Sequence, residues 1–347
     1  MREILKIVFV IIGTLIGAGF ASGQEIYSFF FKYGKSGILG IVLMSILLLI
    51  ILVKILTIIC ENKIDTYKEF LELLINRKRQ SNNKYLNIKN ITSNIINIFI
   101  LITFYIMVAG FGAYFNQEFA INSLIGSVIL AIIIYLTLLN DIKGLIRANE
   151  ILIPTLILLV LIIGVISIKG INIKENIENM VILEKGSIVM SSIIYTSYNT
   201  ILMIPVIITL RKYIKSNKEI KIISILVAII ILILSTLIYF MLFELDINDK
   251  VEMPIVYIVS KTSIYFKYVY GCIILGSIYT TAISLGNSFL KNTTKTSKRF
   301  KSILIVICIS SVMFSKIGFS NLVNLLYPIF GYIGLFQICN ILFIRQK

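Results

Sequence analysis

The chain has 347 residues, of which 58% are hydrophobic and only 14% are charged, and its formal net charge is +16. A composition this apolar excludes a soluble domain and predicts a polytopic membrane protein. The sequence contains no histidine, which excludes catalytic triads and metal sites that depend on imidazole.

Apolar runs of about 20 residues, the length needed to cross a bilayer, predict ten membrane-spanning helices. We place them near 4–31, 36–59, 94–117, 122–139, 148–168, 187–210, 220–243, 266–290, 302–318 and 321–344. The predicted fold class is therefore an all-α polytopic membrane protein with a single transmembrane domain over residues 1–347.

The basic residues are concentrated in the segments between alternate spans. If the N-terminus is cytoplasmic, 24 of the 33 Lys and Arg residues lie on the cytoplasmic side. This asymmetry predicts a multi-pass protein of the cell membrane with both termini in the cytoplasm. Topology thus explains the net charge, and no nucleic-acid partner is expected.

The first span contains the string GTLIGAGFASGQE, from Gly13 to Glu25, which places four glycines and a carboxylate inside an otherwise apolar helix. Glycine lowers the cost of leaving helical geometry, and unwound backbone at membrane depth needs protein or a watery cavity around it. In secondary transporters, interrupted helices of this kind mark the binding site. The pattern predicts a discontinuous first helix.

Two segments outside the spans also carry local signals. In the cytoplasmic loop 60–93, Thr66 and Glu69 have capping-box spacing, which predicts a short surface helix. The basic continuation of that loop is expected to attract anionic membrane lipids. On the other side, the extracellular segment 246–266 contains Pro254, which is positioned to open a helix and to cap the outer mouth.

The sixth span contains a second polar stretch, SSIIYTSYNT, from Ser191 to Thr200. It lies five spans after the first, and because five is odd, two five-helix halves must have opposite orientations in the membrane. This spacing predicts an inverted repeat, approximately 1–168 and 187–344, with helices 1 and 6 both discontinuous. The alternative is that the glycines only allow close helix packing and that the hydroxyls bond to their own backbone.

Three strings, GTLIGAGFASGQEI, YTSYNTILMIP and YPIFGYIG, are similar to sequences of the YkvI-type family of bacterial membrane proteins. That family belongs with the amino acid–polyamine–organocation (APC) superfamily. The resemblance extends along nearly the whole chain. It implies a LeuT-like fold of ten helices in a five-plus-five inverted repeat, in a bacterial cell membrane.

The resemblance also implies a possible Na⁺ site between the first and eighth helices, built from main-chain carbonyls and hydroxyls, which suit a hard cation. The matching residues are Gly13 and Ile16 in the first helix and Ser277, Thr280 and Thr281 in the eighth. The three hydroxyls share one helical face. The alternative is that they bond back to the preceding turn. No other cofactor is expected.

For a solute, free amides near Gly17, Ala18 and Gly19 are expected to bind a carboxylate group. Glu25 has two competing functional roles: a proton carrier, or a permanent charge that recognises an amine. A purely structural carboxylate is the third possibility. The remaining predicted substrate contacts come from the sixth and third helices: Tyr195, Ser197, Tyr198, Asn199 and Tyr105.

Together these features predict a secondary active transporter that moves a small polar or zwitterionic, amino-acid-like solute by alternating access, coupled to Na⁺ or H⁺. The alternative is a ligand-sensing membrane receptor related to spore-germination permeases, without bulk transport. A channel is disfavoured because cation pores present rings of charge. An enzyme is not expected, since the sequence offers neither histidine nor a pair of intramembrane carboxylates.

Overall fold

The computed structural model describes residues 2–75, 83–139, 143–169, 173–178, 180, 182–245, 251–293 and 297–343. Over these ranges the chain is helical and contains no strand, which confirms the predicted all-α class. The α-helices are α1 Arg2–Leu15, α2 Ala18–Ala21, α3 Gln24–Phe29, α4 Ser36–Glu61, α5 Tyr67–Ile75, α6 Asn83–Phe119, α7 Ser123–Leu139, α8 Lys143–Lys169, α9 Ile173–Glu178, α10 Ile188–Leu210, α11 Asn217–Met241, α12 Pro254–Thr262, α13 Ile264–Thr293, α14 Ser297–Ser315 and α15 Phe319–Phe343. Residues 76–82 of the predicted inner loop and 246–250 of the predicted cap lie outside the described residues.

Seven helices in the described part of the chain are long and apolar enough to cross a membrane. They are Ser36–Glu61, Asn94–Phe119, Ile151–Lys169, Ile188–Tyr213, Asn217–Glu244, Ile264–Thr293 and Phe319–Phe343. The other three predicted spans coincide with the short helices α1 to α3, with the shorter apolar α7, and with α14. The chain is thus a multi-pass membrane protein, and the total of ten spans stays a prediction.

The first span is broken twice. Helix α1 ends at Leu15, and α2 begins at Ala18 after an extended Gly17 with φ −88° and ψ −173°. Gly23 then separates α2 from α3 with a left-handed φ of +80°, which only glycine adopts at little cost. A Cβ at Gly23 would also lie 2.5 Å from Cγ1 of Ile255. The second break therefore depends on glycine both for its dihedral angle and for its close contact.

The sixth span is a single continuous helix, α10, so the predicted discontinuity of helix 6 is wrong. The stretch contains no glycine, and five of its polar side chains bond to carbonyls one turn earlier on the same helix. These bonds run from Ser192 to Ile188, Thr196 to Ser192, Ser197 to Ile193, Asn199 to Tyr195 and Thr200 to Thr196. The side chains are satisfied without unwinding the backbone.

The long helices pack in two groups with two helices between them. One group contains α1, α4, α10 and α11, and the other contains α6, α7, α13 and α14. Helix α8 packs against α11 and α1 of the first group and α13 of the second. Helix α15 lies along α10 and also contacts α6. The broken first span thus lies in the first group, with its middle segment α2 near α13 and α6 of the second.

The short helix predicted in the loop after the second span is confirmed as α5, and its capping box is formed. Thr66 Oγ1 accepts the N–H of Glu69 at 3.2 Å, and the Glu69 carboxylate accepts the N–H of Asp65 at 2.9 Å. The bonds from the Asp65 N–H and from Thr66 lower the pKa of the Glu69 carboxyl. Arg211 at the end of α10 pairs with Asp65 at 2.6 Å. The loop is thereby attached to the sixth span.

The helix predicted at Pro254 is also confirmed, because α12 begins at this residue. In this helix, the N–H of Ile255 donates to the carbonyl of Ser22 at 2.9 Å. Ser22 lies in the turn between α2 and α3. The side chain of Gln117 in α6 bonds to both the N–H and the carbonyl of Met253, at 3.0 and 3.1 Å. The start of α12 is therefore joined to both helix groups.

Candidate functional site

The carboxylate of Glu25 is the centre of a buried polar cluster at the start of α3. The residue is only 3% exposed. The hydroxyl of Tyr195 donates to Glu25 Oε2 at 3.2 Å, and the hydroxyl of Tyr198 donates to the same oxygen. The carboxylate also forms a hydrogen bond with the backbone of Phe20. The structure thus brings together three predicted site residues, Glu25, Tyr195 and Tyr198, from the first and sixth spans.

Gly19 makes room for this carboxylate. A Cβ at Gly19 would lie 2.9 Å from Cγ and 3.0 Å from Cδ of Glu25. The side chain of Glu25 therefore lies directly against the backbone of α2. This is the region where the sequence predicted that amides near Gly17, Ala18 and Gly19 would bind a solute carboxylate, and in this structure the protein's own carboxylate lies there.

Other aromatic rings pack against the rings of the two tyrosines. Phe29 lies with its centroid 5.3 Å from that of Tyr195 and 5.8 Å from that of Tyr198. Tyr327 of α15 stacks on Tyr198 at 4.8 Å. Sequence reasoning did not select Phe29 or Tyr327, although Tyr327 is the first residue of the YPIFGYIG string. The rings come from three elements: α3, α10 and α15.

The other predicted substrate contacts have different partners. Ser197 and Asn199 bond to carbonyls of their own helix at 2.7 and 3.0 Å. Tyr105 bonds to Ser310 of α14 at 2.7 Å and its ring lies 4.9 Å from that of Phe314. In this structure Tyr105 joins α6 to α14, and its hydroxyl does not contact the Glu25 carboxylate.

Gln24 points away from Glu25 and contacts a separate polar group, as expected for neighbouring helical residues. Its Nε2 donates to Oδ1 of Asn324 in α15 at 3.4 Å, and the hydroxyl of Ser28 bonds to the same oxygen. Gln24 Oε1 is buried and has no hydrogen-bond partner among the described residues. These contacts attach α3 to α15 on the side of the helix that does not face the tyrosines.

The residues of the predicted Na⁺ site are mostly buried. Ser277 is 0% exposed, and its hydroxyl has no hydrogen-bond partner in the described part of the chain. Thr280 donates to the Ser277 carbonyl at 3.2 Å, and Thr281 is half-buried. A buried, unpartnered hydroxyl fits a cation ligand. Gly13 contacts α8, where a Cβ would lie 3.0 Å from Cγ1 of Ile153.

The eighth span contacts the broken helix directly through a residue that sequence reasoning did not select. The hydroxyl of Tyr270 in α13 donates to the carbonyl of Ala21 at 2.5 Å. Ile16, the other predicted carbonyl ligand, is fully buried between α1 and α2. The first and eighth spans therefore meet at the break, although the predicted Na⁺ ligands themselves stay a prediction.

A second buried carboxylate lies at the end of α6. Glu118, whose side chain is 3% exposed, pairs with Lys267 of α13 at 3.0 Å. Glu25 differs from it because no Lys or Arg in the described ranges pairs with Glu25. The described residues contain no group of three or more His, Cys, Asp and Glu side chains that could hold a metal ion.

No protein-family model matches the sequence. The chain is 26% identical over 345 residues to the "Uncharacterized membrane protein YkvI" of Bacillus subtilis (strain 168), covering 95% of this chain and 92% of that protein. It is 27% identical over 346 residues to the "Uncharacterized protein YyaD" of the same organism, covering 99% and 97%. These similarities confirm the resemblance to YkvI-type proteins that the three motifs indicated.

The fold is similar to those of solved transporters. The inward-facing conformation of Mhp1 matches with a TM-score of 0.66 at 13% identity, over 94% of this chain and 72% of that one. A closed conformation of Mhp1, a nucleobase-cation-symport-1 family transporter with bromovinylhydantoin bound, gives 0.57 at 12% identity over 89% and 70%. A substrate-bound, outward-open Na⁺-coupled sialic acid symporter gives 0.57 at 12% identity over 95% and 75%. The chain therefore has a LeuT-like fold.

Proposed function

We propose that this protein is a secondary active transporter of the bacterial cell membrane, with both termini in the cytoplasm and an inverted repeat of approximately 1–168 and 187–344. It moves a small polar solute by alternating access, coupled to Na⁺ or H⁺. It is not an enzyme. Amino-acid-like, zwitterionic solutes are the class that the sequence suggested.

One observation carries this proposal: the broken first span places a buried carboxylate against the tyrosines of the sixth span. An ionisable group inside a membrane bundle costs free energy, so such groups usually have a charged partner or serve a function. Glu25 has no basic partner among the described residues. Irregular backbone at membrane depth is tolerated where it adjoins a cavity or protein. Both features are expected at a solute-binding site.

Alternating access requires the contacts at the outer end to change. The carboxylate of Glu252 accepts the N–H of Ser320 at 3.0 Å, which attaches the segment before α12 to α15. Ile255 bonds to Ser22, and Gln117 holds Met253. In the proposed cycle these bonds break together when the start of α12, with Glu252 and Met253 before it, moves away from the outer mouth.

The proposal predicts solute accumulation in proteoliposomes that contain the purified full-length protein. A panel of radiolabelled amines, amino acids and nucleobases is offered under an inward Na⁺ gradient, an inward H⁺ gradient or no gradient. We expect at least one solute to accumulate above its external concentration only when a gradient is present, because coupled movement of the ion supplies the free energy.

Protein-free vesicles and vesicles with the gradient collapsed by ionophore are the controls. Gradient-independent equilibration would contradict ion-coupled transport and fit a channel or an uncoupled carrier. Saturable binding without any flux would contradict the transporter proposal and support a receptor related to spore-germination permeases.

If Na⁺ is the coupling ion, its proposed ligands are the hydroxyls of Ser277, Thr280 and Thr281 and the carbonyls of Gly13 and Ile16. We predict that Na⁺ raises the melting temperature relative to choline, since a ligand bound only by the folded state stabilises it by about 2.7 kcal/mol at a hundredfold excess over Kd. Ser277→Ala is expected to remove most of this Na⁺-dependent shift, measured by differential scanning fluorimetry of the purified protein.

Ser224→Ala is the matched control. Ser224 is also a buried serine in a long helix, but its hydroxyl bonds to the carbonyl of Ile220 at 2.8 Å. It should retain the full Na⁺ shift. An unchanged shift in Ser277→Ala, or the absence of a Na⁺-specific shift in the unsubstituted protein, would contradict the sodium site and leave H⁺ as the proposed coupling ion.

A further inference from the structure

Glu25 is buried, is held by hydrogen bonds, and pairs with no Lys or Arg side chain that the structure describes. It is 3% exposed, and its donors are the hydroxyls of Tyr195 and Tyr198 and the backbone of Phe20. These neutral donors orient the carboxylate without cancelling its charge. A carboxylate removed from water is stable only when it is paired or neutralised. No Lys or Arg of the described chain supplies a pair, so the charge is neutralised either by a proton or by a cation that enters the site.

The position of this carboxylate restricts which part of a solute can approach the break. Glu25 lies against Gly19, so closely that no Cβ fits between them, and its hydrogen bond involves the backbone of Phe20. A solute carboxylate brought to the same stretch of backbone would lie next to a like charge, which is unfavourable at short range in a buried site. This arrangement favours a positively charged group over a negatively charged one.

The aromatic rings beside Glu25 can also attract a positively charged group. Phe29, Tyr195, Tyr198 and Tyr327 lie next to one another, with centroid separations between neighbours of 4.8 to 5.8 Å. A cation within about 6 Å of an aromatic centroid is attracted by the negative face of the ring, most strongly when water is excluded. Because Tyr327 belongs to α15 and Tyr198 to α10, separation of these two helices would expose the stacked face of Tyr198.

We propose that Glu25 and the rings of Tyr195, Tyr198 and Tyr327 bind the positively charged amine or quaternary ammonium group of an organic cation, and that the solute carries no carboxylate at this end. This inference rests on the proposed transport function, because it names the substrate class of that site. The carboxylate supplies the charge pair, and the rings supply the desolvated aromatic surface.

The test uses matched probes that share one phenyl ring. Phenethylamine carries an amine, phenylalanine carries an amine and a carboxylate, 3-phenylpropionate carries only a carboxylate, and 2-phenylethanol is neutral. Choline is added as a compact quaternary cation. Binding to the purified full-length protein is measured by thermal shift and isothermal titration calorimetry at constant pH and Na⁺ concentration.

We expect phenethylamine or choline to bind at least roughly tenfold more tightly than the zwitterionic, anionic and neutral probes, since about 1.4 kcal/mol corresponds to a factor of ten. Glu25→Gln is expected to weaken binding of the cation by roughly ten- to a hundredfold, as expected for the loss of a charged hydrogen-bond partner. Tyr327→Leu, which removes a ring but no bond to Glu25, is expected to weaken it severalfold.

Glu118→Gln is the matched control, because it neutralises the other buried carboxylate, which pairs with Lys267. It should leave the Kd of the cation unchanged. Should Glu25→Gln fail to fold, Tyr327→Leu and the comparison of probes on the unsubstituted protein still decide the question, since the latter needs no variant.

Three results would overturn the inference: equal cation affinity in Glu25→Gln, preferential binding of phenylalanine or of the anionic or neutral probe, or no binding of either cation. The proteoliposome assay separates this failure from failure of the proposed function. Gradient-driven accumulation of phenylalanine would support the transport function and contradict the proposed cationic substrate. Cation binding that depends on Glu25, without accumulation of any solute, would support the cation site and contradict the transport function.

Discussion

Gly19→Ala is expected to displace the Glu25 carboxylate and to reduce ligand binding by tenfold or more. The new Cβ would lie 2.9 Å from Cγ and 3.0 Å from Cδ of Glu25. If the side chain moves away, it loses its bonds with Tyr195 and Tyr198. Both tyrosines are buried, so water cannot readily replace these bonds. Overpacking alone typically costs about 1–3 kcal/mol. The melting temperature and the Kd of the best ligand measure the two effects.

Gly17→Ala is the control for this substitution within the same break. A Cβ at Gly17 has no heavy atom within 4 Å, and the φ of −88° suits any L-residue. We expect little loss of stability or binding, because alanine fits at this position and also restricts the unfolded chain. Equal behaviour of the two variants would show that contact with Glu25 is unimportant.

Gly334→Ala is expected to cause a large loss of stability, because it forces two helices apart. A Cβ at Gly334 would lie 2.5 Å from the carbonyl oxygen and 2.8 Å from the carbonyl carbon of Ser197. These are backbone atoms of α10, so no side-chain rotation relieves the clash. Small residues permit this type of close helix approach in membranes. We expect destabilisation of about 3 kcal/mol, at the upper end of overpacking, measured as a lower melting temperature.

Gly286→Ala provides the comparison in another span. Its nearest neighbours are side-chain atoms, Cδ1 of Leu138 and Cε2 of Phe104, both at 3.3 Å. These can shift by a few tenths of an ångström, and alanine favours a helix interior over glycine by about 0.5–1 kcal/mol. A similar loss of stability in both variants would contradict the argument that backbone contact between α15 and α10 determines the effect.

The positions of the helices were largely predictable from the sequence. A span near 36–59 is observed as Ser36–Glu61, and one near 187–210 as Ile188–Leu210. The capping box at Thr66 and the helix opened by Pro254 were also predicted. All of these depend on apolar runs or on neighbours within a few residues.

The candidate site was predictable only in part. Glu25, Tyr195 and Tyr198 were selected for their residue types, and the structure joins them, but it shows neither Tyr105 nor Ser197 in contact with the carboxylate. The polar stretch of the sixth span was interpreted as a break, whereas five of its side chains bond to their own helix, which is continuous. Sequence spacing cannot distinguish a hydroxyl that bonds one turn back from one that faces an unwound backbone.

The sequence by itself determined the membrane class, the helix positions and the glycines that interrupt the first span, since hydrophobicity and glycine content act over short stretches of chain. Only the tertiary structure decided which groups meet Glu25 and that Tyr327 stacks on Tyr198. Those contacts join residues more than 100 positions apart. They depend on how α3, α10 and α15 pack. The local backbone sets the direction of a side chain, but the neighbouring helix determines which residue it meets.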